Sequence, residues 1–282
     1  MSLLCFFGHH RSASSWVRSI LQSVSVAAGW PWQVVHNEAM FGHDLPNFLA
    51  DTQPELLIFS NAKVRYLADL PAYLGLHVIR DPRDVLVSSY FAHRNSHPTD
   101  QWPELVAHRA ELQAISQEEG LLREIECRRE QFEDMAAWSY NLPTIYEIKM
   151  EQLTADPAEH FRELFAFWQR LQPGQNEASE RRLVTFNRKM TGLEWRLRHK
   201  VRLPRRHRHC IWPWLVDEVV QANSFRHKSG GRSIGETDVQ HHYRSGVAGD
   251  WRTYFGPELA AQFKANYNDL LLQLGYEANG DW

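Results

Sequence analysis

Short apolar runs alternate with helix-like segments along the first half of the chain. The runs occupy residues 3–7, 33–36, 56–59, 77–79 and 144–149, and polar or charged residues end each of them. Apolar runs this short predict strands of a buried sheet. Because strands that alternate with helices form parallel sheets, we expect an α/β fold with a central parallel sheet and helices on both faces.

The helices between these runs have recognisable first residues. Serines precede the apolar positions of residues 16–21, so we expect serine to cap that helix. Asp84 stands before Val85 and is expected to cap a second helix. Asp156 and Pro157 predict a third helix with proline at its first position. The N-terminal strand, loop and helix therefore have the order of a P-loop.

Two of the predicted strands run directly into polar loops. The first is followed by Gly8-His-His-Arg-Ser-Ala-Ser-Ser15, and the strand at 77–79 is followed by Arg80-Asp-Pro-Arg-Asp84. In parallel sheets, ligands bind at the carboxyl ends of the strands, near the point where the strand order reverses. We therefore expect both loops to lie at the same edge of the sheet and to bind a ligand there.

The composition is that of a globular protein. Of the 282 residues, 43% are apolar and 23% are charged, which excludes a disordered or collagen-like chain. We expect one domain over residues 1–282, with a helical insertion around 93–138 and a basic variable segment around 189–215. The formal charge of −3 gives no overall positive field, so no nucleic-acid partner is expected. Any anion site must be local.

The number and spacing of the cysteines, and the lack of long apolar stretches, predict where in the cell the protein is located. Cys5, Cys127 and Cys210 are odd in number, widely spaced and without a zinc-binding pattern. We therefore expect a reduced, cytoplasmic protein without a metal. The N-terminus lacks the basic region of a signal peptide. Polar residues, glycine and proline break the least charged stretch, 19–35, so no membrane span is expected, and the oligomeric state stays open.

Two segments stand apart from the alternating pattern. Residues 93–138 are charged and helical in character, with a capping box at Ser116 and Glu119, and are interpreted as a packing and lid element. Residues 196–208 contain basic residues and no acidic one. The basic residues are Arg196, Arg198, Lys200, Arg202, Arg205, Arg206 and Arg208. This stretch is either a solvated surface loop or a surface that recruits an anionic acceptor.

The N-terminal loop has the register of a P-loop, with two changes. Ala13 replaces the second glycine, and Ser14 replaces the lysine that reaches the β- and γ-phosphates of a nucleoside triphosphate. The backbone N–H groups at the helix N-terminus can still bind a phosphate. Arg11 places a different cation inside the loop. The loop thus favours a ligand with a single 5′-phosphate over ATP.

Three motifs in sequence order resemble those of sulfotransferases. Arg11-Ser-Ala-Ser-Ser-Trp16 resembles their 5′-phosphosulfate loop, and Arg80-Asp-Pro-Arg-Asp-Val-Leu-Val-Ser88 resembles their 3′-phosphate motif. Tyr243-Arg-Ser-Gly-Val-Ala-Gly-Asp-Trp-Arg-Thr-Tyr-Phe255 is similar to their C-terminal Gly-x-x-Gly-Asp-Trp segment. The resemblance covers nearly the whole chain, and residues 93–138 and 189–215 are its least family-like parts.

The resemblance implies a donor, 3′-phosphoadenosine 5′-phosphosulfate (PAPS), and a set of residues that bind it. Arg11 would be the cation at the leaving group. Arg80, Ser88 and Arg244 would hold the 3′-phosphate, since paired arginines suit bidentate phosphate capture. Trp16 would stack on adenine, with a helix-packing role as the alternative. The remaining donor-binding residues are Ser12, Ala13, Ser14, Ser15, Ser224, Phe225, Ser245 and Gly246.

The general base is the largest departure from the family. Cytosolic members carry a histidine at the end of the strand before the 3′-phosphate strand, where this chain has Ser60-Asn61. Other branches use a glutamate after the second strand, and Glu38 is our first candidate on that model. His36 is the second candidate and His43 the third, each with a purely structural role as the alternative. Lys63 is expected to add positive charge near the sulfuryl group, and Met150 replaces a tyrosine near adenine.

The sequence therefore predicts an enzyme that transfers a sulfuryl group from PAPS to a hydroxyl or amine acceptor by in-line displacement and releases adenosine 3′,5′-bisphosphate (PAP). The acceptor is a small molecule or a glycan, and an anionic one is the hypothesis raised by residues 196–208. Two alternatives stay open. One is a nucleotide or small-molecule kinase of the same fold, which the missing P-loop lysine disfavours. The other is a non-catalytic nucleotide-binding protein.

Overall fold

The chain divides into two compact units. The computed structural model describes residues 2–100, 102–197 and 201–282. One unit contains the chain up to His9, Ala13–Ile79 and Tyr140–Asn223, and the other contains His10–Ser12, Arg80–Ser139 and Ser224–Trp282. The first unit is called the sheet unit below and the second the helical unit. The single domain expected over 1–282 stays a prediction.

A five-stranded parallel sheet forms the centre of the sheet unit. Its strands are β1 (Leu3–Phe7), β2 (Trp32–Val35), β3 (Leu56–Phe59), β4 (Tyr73–Ile79) and β5 (Ile145–Lys149). Their order is β2-β3-β1-β4-β5, and every neighbouring pair is parallel. All residues of β1 and β3 are buried, so both faces of the sheet are covered. The predicted α/β fold is confirmed, and the strand order reverses between β1 and β4.

Helices account for most of the remaining chain. In chain order they are α1 (Ser14–Ala28), α2 (Leu45–Thr52), α3 (Pro82–Phe91), α4 (Glu104–Ala114), α5 (Gln117–Cys127), α6 (Arg129–Ala136), α7 (Met150–Ala155), α8 (Pro157–Phe167), α9 (Glu177–Arg196), α10 (Pro213–Ala222), α11 (Phe225–Lys228) and α12 (Pro257–Gln273). Short 3-10 helices occur at Glu38–Phe41, Val64–Asp69 and Asp250–Thr253, and a π-helical turn occupies Ala92–Ser96. Among the described helices, none has the length and apolar character needed to span a membrane.

Helix α1 begins differently from the serine-capped start expected from the sequence. Its N-cap is Ala13, which takes a left-handed conformation at φ 59°, and within the described chain no side chain caps this helix. The Ser14 hydroxyl instead donates to the His9 carbonyl at 2.6 Å. Gly8 faces this hydroxyl so closely that a Cβ would lie 2.6 Å from Ser14 Oγ. In this tight loop the Ser14 hydroxyl therefore binds the His9 carbonyl and does not cap the helix.

The expectation that Asp84 caps α3 is also wrong, because Pro82 starts the helix earlier. Asp81 is the N-cap and accepts from Arg83 N at 2.9 Å. Asp84 lies in the first turn, where its carboxylate accepts the backbone N–H groups of Gly249 (2.7 Å) and Trp251 (2.9 Å). The C-terminal Gly-Asp-Trp segment is thereby fixed to α3 inside the helical unit.

Other local predictions agree with the structure. Helix α8 begins at Pro157, and the Asp156 side chain caps it by accepting from Glu159 N. Ser116 and Glu119 form the reciprocal capping box of α5. Residues 93–138 contain α4, α5 and α6. Short-range capping chemistry thus determined these helix starts without help from distant residues.

Replacing Asp84 with asparagine is expected to destabilise the protein. The variant keeps the shape of the side chain but removes the buried charge that accepts two backbone N–H groups. Asparagine keeps one acceptor oxygen but puts an NH₂ group against the other backbone N–H, so about one hydrogen bond to a charged group is lost and the free energy of unfolding should fall by about 1.5–3 kcal/mol. Denaturant unfolding measures it. The exposed Asp51→Asn should change it by less than about 0.5 kcal/mol, and equal effects of the two changes would contradict this role.

Candidate functional site

Three arginine side chains come together in the helical unit. The guanidinium of Arg80 donates from Nη1 to the backbone carbonyl of Arg11 at 2.9 Å. Burial and the neighbouring charges of Arg80 and Arg244 lower the pKa of Arg11 to about 9. Arg11 therefore stays charged at neutral pH, but at an energetic cost. Like charges packed this closely favour the binding of an anion.

Ser88 and the segment before Arg244 complete this cluster. Arg11 Nε donates to Ser88 Oγ at 2.9 Å, and Arg11 Nη2 donates to the carbonyl of His242 at 3.3 Å. The structure thus brings together Arg80, Ser88 and the Arg244 segment, which the sequence assigned to one phosphate. It also places the Arg11 side chain with them, where the sequence had assigned that side chain to the leaving group.

Only part of the positive charge is balanced by carboxylates. Arg244 pairs with Asp250, donates to Tyr254 Oη at 3.2 Å, and lies over the ring of Phe91 at 4.8 Å. Arg80 Nη2 lies 3.9 Å from Asp84. In the part of the chain that the structure describes, the carboxylates of Asp84 and Asp250 therefore face three guanidinium groups. Within the described residues the buried Nε of Arg80 has no hydrogen-bond partner, so it is a donor available to an anion.

The loop after Tyr243 packs on Phe225. Gly246 adopts φ 69°, and a Cβ at this position would lie 2.8 Å from the Phe225 ring. Arg232 supports the same loop by donating to the carbonyls of Tyr243 (2.5 Å) and Arg244 (2.8 Å). The predicted donor-binding residues 224–225 and 244–246 are therefore neighbours, and only glycine allows their close approach.

Gly8, His9 and Ala13–Ser15 of the N-terminal loop belong to the sheet unit, whereas His10–Ser12 belong to the helical unit. Gly8 N donates to Phe59 O at 2.9 Å, and Ala62 N donates to Gly8 O at 2.7 Å. The loop start is thus held against the end of β3. Ser14 and Ser15 follow as the first residues of α1, and within the described chain no side chain caps its amino end, a position that suits an anion. In the helical unit, the adjacent Ser12 has a buried hydroxyl without a partner among the described residues.

Trp16 is mostly buried and makes specific contacts in the sheet unit. Its Nε1 donates to the carbonyl of Asn223 at 2.8 Å, and its ring meets Phe161 edge to face at 5.9 Å between centroids. These contacts favour the helix-packing alternative. The contact with Asn223 also fixes the residue just before Ser224 and Phe225. Adenine stacking by Trp16 stays a prediction.

The candidate bases follow β2 and differ in their partners. Glu38 accepts from Arg65 Nε at 2.7 Å and lies 3.3 Å from His43 Nδ1, and the hydrogen bond from Arg65 lowers the pKa of Glu38. The side chain of His43 is 70% exposed. His36 is half-buried with Nε2 3.4 Å from Arg18 Nη1, and burial followed by the Arg18 charge lowers its pKa. His36 is therefore neutral at pH 7 and Glu38 is a weak base.

His36 and Ser60-Asn61 follow the ends of two neighbouring strands, β2 and β3. Val35 pairs with Phe59 at the ends of β2 and β3, and Ser60 N donates to Val35 O at 2.9 Å. The next residue after Val35 is His36, and Phe59 is followed by Ser60 and then Asn61. His36 and Asn61 therefore both lie just beyond the ends of neighbouring strands, at the same edge of the sheet.

Sequence reasoning missed a buried polar chain that begins in the N-terminal loop. His9 Nε2 lies 2.8 Å from His77 Nε2, and His77 Nδ1 lies 3.1 Å from Glu147. Burial lowers the pKa of His77 to about 3 and raises that of Glu147 to about 7. The available signal was a polar residue in each of β4 and β5, and these two residues are direct register partners.

Comparison with known proteins supports the fold. No family model matches the chain, and no curated protein matches it by sequence. The crystal structure of mouse sulfotransferase SULT7A1 complexed with PAP is similar, at a TM-score of 0.53 and 12% identity, over 96% of this chain and 84% of that one. Retinol dehydratase in complex with androsterone and PAP scores 0.48 at 13% identity, over 95% and 80% of the chains. The first likeness shows that this chain has the fold of a sulfotransferase.

Proposed function

We propose that the protein transfers a sulfuryl group from PAPS to a hydroxyl or amine acceptor by in-line displacement and releases adenosine 3′,5′-bisphosphate (PAP). The observation that carries the proposal is the cluster of Arg11, Arg80 and Arg244 around Ser88, with more guanidinium groups than carboxylates. Such a cluster suits a dianionic phosphate monoester, which accepts several charged hydrogen bonds. The fold of the solved sulfotransferase, complexed with PAP, agrees with this donor.

The donor requires a second anion site, and we assign it to the N-terminal loop. The serines at 12, 14 and 15 and the backbone of Ala13 are small groups suited to the 5′-phosphosulfate. Ser14 stands where a kinase of this fold needs its phosphate-binding lysine, which disfavours the kinase alternative. Phe225, Ser224, Ser245 and Gly246 are assigned to the adenosine, with Trp16 as a further candidate.

The acceptor is proposed as a small molecule or glycan, with an anionic acceptor as a specific hypothesis. In the basic stretch, Arg205 pairs with Glu194, and Arg206 lies over the Phe186 ring at 5.0 Å. These two arginines therefore support local structure. Arg196, Arg202 and Arg208 are exposed and would meet an anion, while Arg198 and Lys200 lie outside the described residues. We further propose a cytoplasmic location, since Cys5, Cys127 and Cys210 are free thiols.

The proposed donor site should bind PAP more tightly than ATP, because two single-phosphate sites fit PAP and the triphosphate lysine is missing. Calorimetry should show Arg80→Ala and Arg244→Ala weakening PAP binding by about 1.5–3 kcal/mol each. The exposed Arg182→Ala serves as the matched control and should bind normally. Equal or tighter binding of ATP would contradict the proposal. Release of PAP from PAPS in an acceptor screen separates an enzyme from a non-catalytic binding protein.

Arg11→Ala tests whether this guanidinium acts on the leaving group or on the bound phosphate. Negative charge grows on the bridging oxygen as the S–O bond breaks, so a cation there stabilises the transition state more than the ground state. Arg11 Nε donates to Ser88 Oγ in the cluster proposed for the 3′-phosphate, so we expect Arg11→Ala to weaken PAP binding by about 1.5–3 kcal/mol, as Arg80→Ala does. A fall in kcat of about 10²–10³ with little change in PAP affinity would instead assign Arg11 to the leaving group, as the sequence predicts.

We propose His36 as the general base, in preference to Glu38 and His43, because it is half-buried, neutral at pH 7 and has no ion pair with a carboxylate of the described residues. His36→Ala should lower kcat by about 10²–10⁴. A histidine base must be unprotonated, so the rate should fall with decreasing pH only below about 6.5, since the pKa of His36 is lowered. Glu38→Gln is the comparison and should retain most activity. A large loss in Glu38→Gln with normal turnover in His36→Ala would reverse the assignment.

A further inference from the structure

Four side chains with metal-binding atoms meet inside the helical unit. They are His93 of the π-helical turn, His108 of α4, and Glu124 and Cys127 of α5. One ligand atom from each lies within 4.8 Å of every other. Three separate helical segments therefore direct two imidazoles, a carboxylate and a thiol at one point.

The cluster is close to the size of a tetrahedral zinc site. His93 Nδ1 lies 2.9 Å and His108 Nε2 2.7 Å from the same oxygen of Glu124. Zinc bonds of about 2.0–2.3 Å place neighbouring ligand atoms about 3.3–3.7 Å apart. The His93 and Glu124 side chains are fully buried, and that of His108 is 18% exposed. The site is thus enclosed and already assembled.

The ligand types and charges also suit a divalent transition metal. Imidazole and thiolate ligands favour zinc and its neighbours over magnesium or calcium, and a thiolate with a carboxylate neutralises two positive charges. Arg128 donates from Nη2 to Cys127 Sγ at 3.3 Å, and its Nε lies 3.9 Å from Glu124. A hydrogen bond to a metal-bound thiolate is an outer-shell contact of a common kind.

We propose that this protein binds one Zn²⁺-class cation through His93 Nδ1, His108 Nε2, a carboxylate oxygen of Glu124 and Cys127 Sγ. Four protein ligands fill a tetrahedral site and leave no position for a reacting water, so the metal has a structural role. It fixes the Ala92–Ser96 turn to α4 and α5.

The proposed metal also bears on the N-terminal loop. With Nδ1 on the metal, His93 carries its proton on Nε2, which lies 3.2 Å from His10 Nε2. His10 immediately precedes Arg11, and Gln131 donates to its carbonyl at 2.9 Å. The metal would therefore set the tautomer of His93 and hold His10 as the acceptor of its hydrogen bond.

The sequence analysis expected no metal because the three cysteines show no zinc-binding spacing. The four proposed ligands instead lie within residues 93–127, a stretch of 35 residues that contains one cysteine.

Metal binding is tested on the full chain, without any activity measurement. The protein is stripped with a chelator, dialysed and titrated with Zn²⁺ and, separately, with Co²⁺. We expect one equivalent of bound metal, and a thiolate-to-cobalt charge-transfer absorption with the intense visible bands of a tetrahedral site. Cys127→Ser should remove the charge-transfer band, and His108→Ala should weaken Zn²⁺ binding by more than the about 10–100-fold that an outer-shell change costs.

Cys210→Ser is the matched control, because Cys210 is also half-buried and donates only weakly, at 3.7 Å, to Gln169 O. It should bind cobalt with the wild-type spectrum. Circular dichroism confirms that each variant is folded. Stripped wild-type protein that takes up no metal, or Cys127→Ser and His108→Ala proteins that both bind as the wild type does, would overturn the proposal. The four residues would then be a metal-free hydrogen-bonded network.

Discussion

Repulsion among the guanidinium groups of Arg11, Arg80 and Arg244 is the constraint on which the candidate site depends. Burial, followed by the like charges of Arg80 and Arg244, lowers the pKa of Arg11, so bringing these groups together has an energetic cost. The helical unit offsets part of this cost with Asp84 and Asp250, and with the hydroxyl of Ser88. The remaining positive charge favours the binding of an anion, which is the basis of the proposed donor site.

Asp84 links this electrostatic site to the fold. The same carboxylate that lies near Arg80 accepts the backbone N–H groups of Gly249 and Trp251. Trp251 in turn stacks on the guanidinium of Arg83, at 3.8 Å from its ring centre, and Arg83 pairs with Asp81. The Arg80 motif and the Gly-Asp-Trp motif are thus parts of one packed arrangement.

The two histidines after Gly8 begin two separate buried chains. His9 leads to His77 and Glu147 in the sheet unit, and His10 leads to His93 and Glu124 in the helical unit. Each chain ends on a carboxylate that orients the middle histidine. Successive residues of the N-terminal loop are therefore fixed by different parts of the chain. This arrangement restricts the loop conformation, in which both Arg11 and Ala13 have positive φ.

The sequence by itself determined the strands, the parallel sheet and the polar loops that follow β1 and β4, because apolar runs and short loop motifs are local features. It also determined the starts of α5 and α8, whose caps lie within four residues of the groups that they bind. Only the tertiary structure decided the role of Asp84, whose partners are more than 160 residues away. The same holds for the position of the Arg11 side chain, the ion pair that weakens Glu38 as a base, and the meeting of Cys127 with His93 and His108. These contacts join residues with no regular spacing along the chain, so no local pattern encodes them.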